Sequence, residues 1–308
     1  MPRAQVGRPF LRPLAPGPGA TFGVVAPAFS VDCEALDAGM RWLRSAGFEV
    51  RCRDDVRDRC GYLAGDDRRR ADELMEMVSD PDVDVIVCAR AGYGCQRILP
   101  HLDAEAFRSA RKPLLGYSDA TSLQLWMQCE AGLGSFHGPM LEHGAWDVAE
   151  TEAVRQALAG TLPEPWEGEG HAGGRVEGPL VGGSLTLLAA SLGTPWEVET
   201  EGALLLFEEV AEKPYVIDRL LHQLAAAGKL DGVAGVGVGH LVECVDPKRE
   251  EPTALEVIRE ILEPRGIPLV SGLPFGHGRP NLPWPVGAQA ALDGKRGELE
   301  LLEPGVES

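Results

Sequence analysis

From about Thr21 to Met140 the chain alternates short apolar or β-branched runs with longer amphipathic ones. TFGVVAPA, FEVRCR and VDVIVCAR have the density of buried strands. VDCEALDAGMRWLRSAG and DDRRRADELMEMVSD carry apolar residues at helical spacing. This strand, helix, strand rhythm predicts a mainly parallel sheet with helices on its faces. Gly47 suits the position just past the first helix, and Asp66 with Asp67 gives the second an acidic start. Further on, KPLLGY reads as a strand and DATSLQLWMQCEAG as a helix, so Ser118 falls on the sharp turn between them.

Near AETEAVRQALAG the helical pattern stops, and TLPEPWEGEGHAGGRVEG follows, dense in Gly, Pro and Glu. That composition marks a linker, placed at 156–171, between an N-terminal α/β domain (1–155) and a C-terminal mixed α/β domain (172–308). The second part contains GPLVGGSLTLLAASLG, GALLLFEEV, YVIDRLLHQLAAAG, VAGVGVGHLVEC, ALEVIREILEP and IPLVSGLP, with no internal repeat or heptad run.

Composition narrows the function. The 308 residues are 44% hydrophobic, enough to fill a core, and carry a formal charge of −18 from 29 basic and 47 acidic residues. An acidic chain is a poor ligand for phosphate backbones or anionic membranes, so neither nucleic acid nor membrane is an expected partner. Seven cysteines without CxxC spacing point to a reduced, cytoplasmic compartment. The first residues show no apolar core before a small-residue cleavage site, and no stretch approaches about 18 uninterrupted apolar residues.

Candidate chemistry concentrates at the turn. A serine on a strand-to-helix elbow exposes its hydroxyl, and the free N–H groups that follow, beginning with Asp119, point to where an oxyanion would form. Ser118 or Asp119 could equally cap the helix, and on local pattern alone capping is the commoner use. Ala91-Gly92-Tyr93-Gly94 follows a strand directly and can bring backbone close to a ligand. It matches only part of GxGxxG, with Arg97 at the third glycine, so a tight turn outweighs a dinucleotide site. Seven histidines could serve as base: His101, His137, His143, His171, His222, His240 and His277. His137 falls on the next strand of the same sheet, and His277 lies in a Gly- and Pro-rich loop, where rigid scaffolds display functional side chains. Glu208 and Glu209 end an apolar strand, and alternation sends them to opposite faces, so only one can turn to a given pocket. No HExxH, HxH or Cys/His cluster supports a metal.

Taken together, GVVAPA, GYLAGDDRRRADEL, DVIVCARAGYGCQRILPHLD, KPLLGYSDATSL, FHGPM, GPLVGGSLTLLAASLGTPWE, LLLFEEVAEKPYVIDRLLHQL and GHGRPNLPWPVGAQAALD resemble, in order and over nearly the whole chain, the LD-carboxypeptidase family of serine peptidases. The resemblance implies a Ser-Glu-His triad, falling on Ser118, Glu208 and His277, and an oxyanion hole from the backbone amides of Gly92 and Asp119. It implies an N-terminal domain like the class I glutamine amidotransferase fold, a smaller C-terminal swivelling β/β/α domain, a homodimer, and no cofactor. The reaction implied is hydrolysis of the LD amide bond before the terminal D-alanine of murein tetrapeptides during cell-wall recycling. Arg90, Arg97, Arg219 and Arg279 are candidates for the terminal carboxylate. A microcin C-type deacylase cleaving acyl-sulfamate aminoacyl nucleotides would use the same triad, with Trp284 as an aromatic for the base, and a non-catalytic small-ligand-binding protein is the reading from another class. Three positions depart from the family pattern: Ala91 for a glycine, Glu209 for an aspartate, and Ser184 for the asparagine of GGNL.

Overall fold

The computed structural model describes residues 10–248 and 252–308. Two sheets organise the chain. The first takes β1 (Thr21–Val25), β2 (Glu49–Cys52), β3 (Val85–Cys88), β4 (Leu114–Gly116) and β5 (Ser135–His137), all parallel, in the order β5-β4-β3-β1-β2. Its central strands are buried on both faces, as parallel strands between helices must be. Phe22, Val24, Val85, Val87 and Leu115 pack on α1 (Cys33–Ser45) and α6 (Val148–Leu158), while Val25, Ile86 and Leu114 face α2 (Asp67–Ser79), α4 (Ala104–Ala110) and α5 (Ala120–Trp126). A short α3 (Cys95–Ile98) follows the glycine turn after β3. Asp66 caps α2 through its side chain and Gly47 lies just past the α1 cap at φ +89°, where those residues were expected.

The second sheet has eight strands. β8 (Arg175–Ser184), β9 (Leu204–Val210), β10 (Gly235–Val242) and β11 (Leu269–Ser271) run parallel. One of their faces is covered by α7 (Leu185–Ala190), α8 (Pro214–Ala226) and α9 (Ala254–Leu262), through Leu188, Ile217, Leu221, Ile258 and neighbours. β13 (Gln289–Asp293) and β14 (Glu298–Leu301) extend the β8 edge antiparallel and close a second apolar layer of Leu204, Leu206, Phe275 and Leu292. A two-domain α/β organisation with a mainly parallel first sheet is therefore what the chain adopts.

Two details differ from expectation. The stretch 156–171 contains regular structure: it begins inside α6, and β6 (Trp166–Glu167) and β7 (Glu169–Ala172) form the two outer strands of the second sheet, on β14 and β11. The Gly-rich composition there serves close strand packing, since a Cβ on Gly170 would lie 2.5 Å from the Gly294 oxygen. In addition, β12 (Trp284–Val286), far along the second part, returns to pair antiparallel with β5 of the first sheet, Trp284 opposite His137.

Candidate active site

The elbow is built where β4 stops and α5 begins. Ser118 sits between them with φ +59°, a left-handed conformation that residues with a Cβ adopt at a cost of about 1–3 kcal/mol. Capping does not explain it: Asp119 occupies the cap position without a side-chain cap bond, and Ser118 contributes only its carbonyl, which accepts from the Thr121 N–H at 2.9 Å. Its hydroxyl is thus left for other use. Among the described residues, the N–H groups of Gly92 and Asp119 donate to no acceptor. Gly92 has φ +108°, and a Cβ there would lie 2.3 Å from the Phe29 ring, so only glycine fits.

The acid and the histidine come from the other sheet. Glu208, on β9, is fully buried, and its Oε2 accepts from His277 Nδ1 at 2.6 Å and from the His277 backbone N–H at 3.3 Å. Glu209 turns the other way, as strand alternation requires, and its Oε2 accepts from the Thr186 N–H at 2.8 Å and hydroxyl at 2.7 Å at the start of α7. The His277 loop passes directly over β9: Gly276 has φ +107°, and a Cβ would stand 2.7 Å from Glu208 Cβ. Asn281 Oδ1 holds the Gly276 N–H at 2.9 Å, and His240 Nδ1 accepts from the Gly278 N–H at 3.1 Å. Burial of the His277 ring opposes protonation, but the hydrogen bond to Glu208 and its charge, with Glu142 and Glu209 adding to it, hold the imidazole above its ordinary pKa. A protonated His277 is the form that this acidic surround favours.

The two sheets meet at this point. The Tyr117 ring, adjacent to Ser118, packs edge-on against the His277 imidazole at 4.9 Å, and its hydroxyl donates to Glu142. The Ser184 N–H donates to Thr121 Oγ1 at 3.0 Å, tying β8 to α5. Among the described residues, no hydrogen bond joins Ser118 Oγ to His277 Nε2, a looseness common before substrate binds. Glu142 escaped the sequence reading because it belongs to no spaced pattern, and Tyr117 was read only as the end of a strand; the hydrogen bond between them and the ring contact with His277 give both their place.

This arrangement can be compared with known proteins. Residues 22–138 match the LD-carboxypeptidase N-terminal domain and residues 177–292 the LD-carboxypeptidase C-terminal domain. The chain belongs to the LD-carboxypeptidase family. It is 38% identical over 297 residues to the probable murein peptide carboxypeptidase of Bacillus subtilis, covering 92% of this chain and 91% of that one. A solved structure of muramoyltetrapeptide carboxypeptidase from Oxalobacter formigenes superposes with TM-score 0.83 at 29% identity, covering 92% of this chain and 98% of the other. The microcin C7 self-immunity protein MccF of Escherichia coli is 28% identical over 319 residues, 92% of either chain.

Within this LD-carboxypeptidase, Trp284 does not have the place a nucleobase platform needs. It is 0% exposed, stacked at 5.1 Å on His137 and edge-on to Phe275, and therefore part of the core. The proline-flanked motif suggested a loop, whereas β12 buries it. The arginines also separate. Arg97 is taken up by a forked ion pair to Asp67 at 2.8 Å, Arg90 donates to the Ser30 oxygen at 2.9 Å beside the Phe29 ring, and Arg279, half exposed, lies 3.7 Å from Glu150. Arg219 is exposed on α8. Ser184 sits opposite Glu208 in the sheet register, so the GGSL departure falls beside the acid. Ala91 is buried, its carbonyl accepting from the Phe29 N–H at 3.3 Å. All seven cysteines are free, and no metal-sized group of His, Cys, Asp or Glu occurs among the described residues. No helix among them is long and apolar enough to cross a membrane.

His137 is buried between Trp284, Tyr117 and Phe275 with both ring nitrogens unpartnered. Burial, reinforced by the nearby His277, pushes its pKa down to about 3. The folded chain therefore keeps this ring neutral while the unfolded chain protonates it near pH 6.5, so stability falls as pH drops from about 6.5 toward 3. In His137→Phe the loss of unfolding free energy between pH 7 and 4.5, measured by urea titration, should be about 2–3 kcal/mol smaller than in wild type.

Proposed function

We propose that the chain is a serine LD-carboxypeptidase that removes the terminal D-alanine from murein tetrapeptides, with Ser118 as nucleophile, His277 as general base and Glu208 as its partner. One observation carries the assignment: a buried glutamate from β9 grips the Nδ1 side of His277 at 2.6 Å, and that ring packs against the residue preceding the elbow serine. Glu208 holds the tautomer with hydrogen on Nδ1, leaving Nε2 to take the Ser118 proton as the hydroxyl attacks the amide carbon. The unengaged N–H groups of Gly92 and Asp119 receive the oxyanion; each such donor is worth roughly 10²–10³ in turnover. Collapse expels the D-alanine amine, protonated by His277, and water then attacks the acyl-serine by the reverse relay. On this reading no cofactor takes part.

We further read the first sheet as a class I glutamine amidotransferase-like fold, the second unit as a swivelling β/β/α domain, and the protein as a cytoplasmic homodimer. The five parallel strands carrying the nucleophile elbow, the helices confined to one face of the second sheet, and the reduced cysteines support that reading. Purified protein incubated with murein tetrapeptide and, separately, with processed microcin C should release D-alanine from the first and no sulfamoyl-adenosine from the second, followed by mass spectrometry. Adenosine release alone would reverse the substrate assignment. Binding of tetrapeptide without release of either product would leave the ligand-binding reading in its place.

A further inference from the structure

The two amides assigned to the oxyanion come from different segments, the turn after β3 and the elbow after β4, and something must fix their separation. A transition-state site tolerates displacements of only about 0.5 Å. Asp119 provides the link. A residue at a helix cap ordinarily accepts from its own helix, a bond worth about 1 kcal/mol, yet the Asp119 carboxylate makes no such bond. It reaches instead across to the glycine turn, where Oδ2 accepts from the Cys95 N–H at 2.7 Å in a site 1% exposed. Burial pushes its pKa up, while the Cys95 amide and thiol, the Arg70 charge and the Gly94 amide favour the charged form.

A buried cation completes the arrangement. Arg70, on α2, is 0% exposed, and its Nη1 donates to the Gly94 oxygen at 2.8 Å and to the Pro27 oxygen at 2.6 Å, while Nη2 pairs with Asp67. A Cβ on Gly94, at φ +139°, would lie 2.8 Å from that Nη1. The turn is therefore held at its carbonyl by Arg70 and at the following amide by Asp119. The GVVAPA segment, which the proposed chemistry leaves without a task, anchors the other side of the guanidinium through Pro27.

We infer that the Asp119 carboxylate and Arg70 are positioning groups that set the spacing of the two oxyanion donors, so that the residue following the nucleophile contributes its amide to the reaction and its side chain to aiming the second donor. This rests on the assignment of the Gly92 and Asp119 amides made above. A donor aimed at the oxyanion acts on the tetrahedral state more than on the bound substrate, so the loss should appear in kcat and spare KM.

The test uses Asp119→Asn and Arg70→Lys, with active sites counted by a fluorophosphonate that labels Ser118. Per labelled site, Asp119→Asn should lower tetrapeptide kcat roughly 10–100-fold with KM within about twofold, since an ångström of misplacement is worth that much. A peptide boronic acid, which mimics the tetrahedral adduct, should weaken by the same factor. Arg70→Lys, which keeps the charge but cannot fork between Gly94 and Pro27, should show a smaller loss of the same kind, and carries the test should Asp119→Asn fail to fold. Wild-type kcat per site in the folded variants, or a loss confined to KM with boronate affinity unchanged, overturns the inference. Absence of both labelling and turnover in wild type would instead overturn the serine mechanism, and this inference with it.

Discussion

Ser118→Ala is expected to reduce tetrapeptide kcat by on the order of 10⁶, to the level left by binding and the oxyanion donors. Single-turnover measurement of D-alanine release checks it, and the same variant should retain substrate binding, because no ground-state contact is removed. A second consequence separates the chemistry from the backbone. At φ +59° the serine is in a conformation that glycine adopts without strain. Ser118→Gly should therefore be as inactive as the alanine variant yet unfold at higher denaturant, by about 1 kcal/mol. A serine that served only to complete a turn would show neither the loss of turnover nor its separation from stability.

Glu208→Gln should lower kcat about 10⁴-fold, as amide for carboxylate spoils both tautomer and charge. The pH profile gives the more specific signature. In the wild type burial works against the His277 charge, but Glu208 outweighs it and keeps the pKa above the ordinary value. The neutral base is then available only as pH rises through that raised value, which sets the acid limb of kcat/KM. Removing the Glu208 charge leaves burial to prevail, so the acid limb should move to lower pH while the plateau falls. Glu209→Gln, whose hydrogen-bond partner is the start of α7 and whose charge adds less than that of Glu208, should move the limb in the same direction but by less. An acid limb unmoved in Glu208→Gln would show that another group governs the ionisation.

The elements that define the first sheet could be read from the sequence because each obeys one physical rule. β1, β3 and β4 are short runs buried on both faces, and α1 and α2 have one apolar stripe with acidic caps. The elbow was legible as geometry, but whether Ser118 caps or reacts was not, since both uses place a small polar side chain at the same turn. The structure adds two observations that bear on the choice, the missing cap bond of Asp119 and the ring contact between Tyr117 and His277. Alternation showed that Glu208 and Glu209 diverge without saying which faces the histidine, because β9 is buried on both sides. What escaped entirely was pairing over long separation. Residues 166–172 look like a linker because edge strands of two and four residues lack an apolar period, and Trp284 looks like a loop aromatic because prolines flank it. The orphan nitrogens of His137 and the Asp119 link to Cys95 are properties of that same long-range packing.

The return of β12 to the first sheet bears on how the molecule can move and how it can be cut. The chain crosses between the halves after α6, again before Trp284, a third time after Val286 and a fourth time after β14, where Val306 and Glu307 pack on the first half, so the halves are laced together at several points, one of them beside the histidine loop. These crossings restrain any swing of one half over the other near the histidine loop. Severing the chain near residue 172 would yield no independent N-terminal piece. It would strip the partner from β5, uncover Phe136 and His137, and leave an apolar strand edge of the kind that recruits other chains.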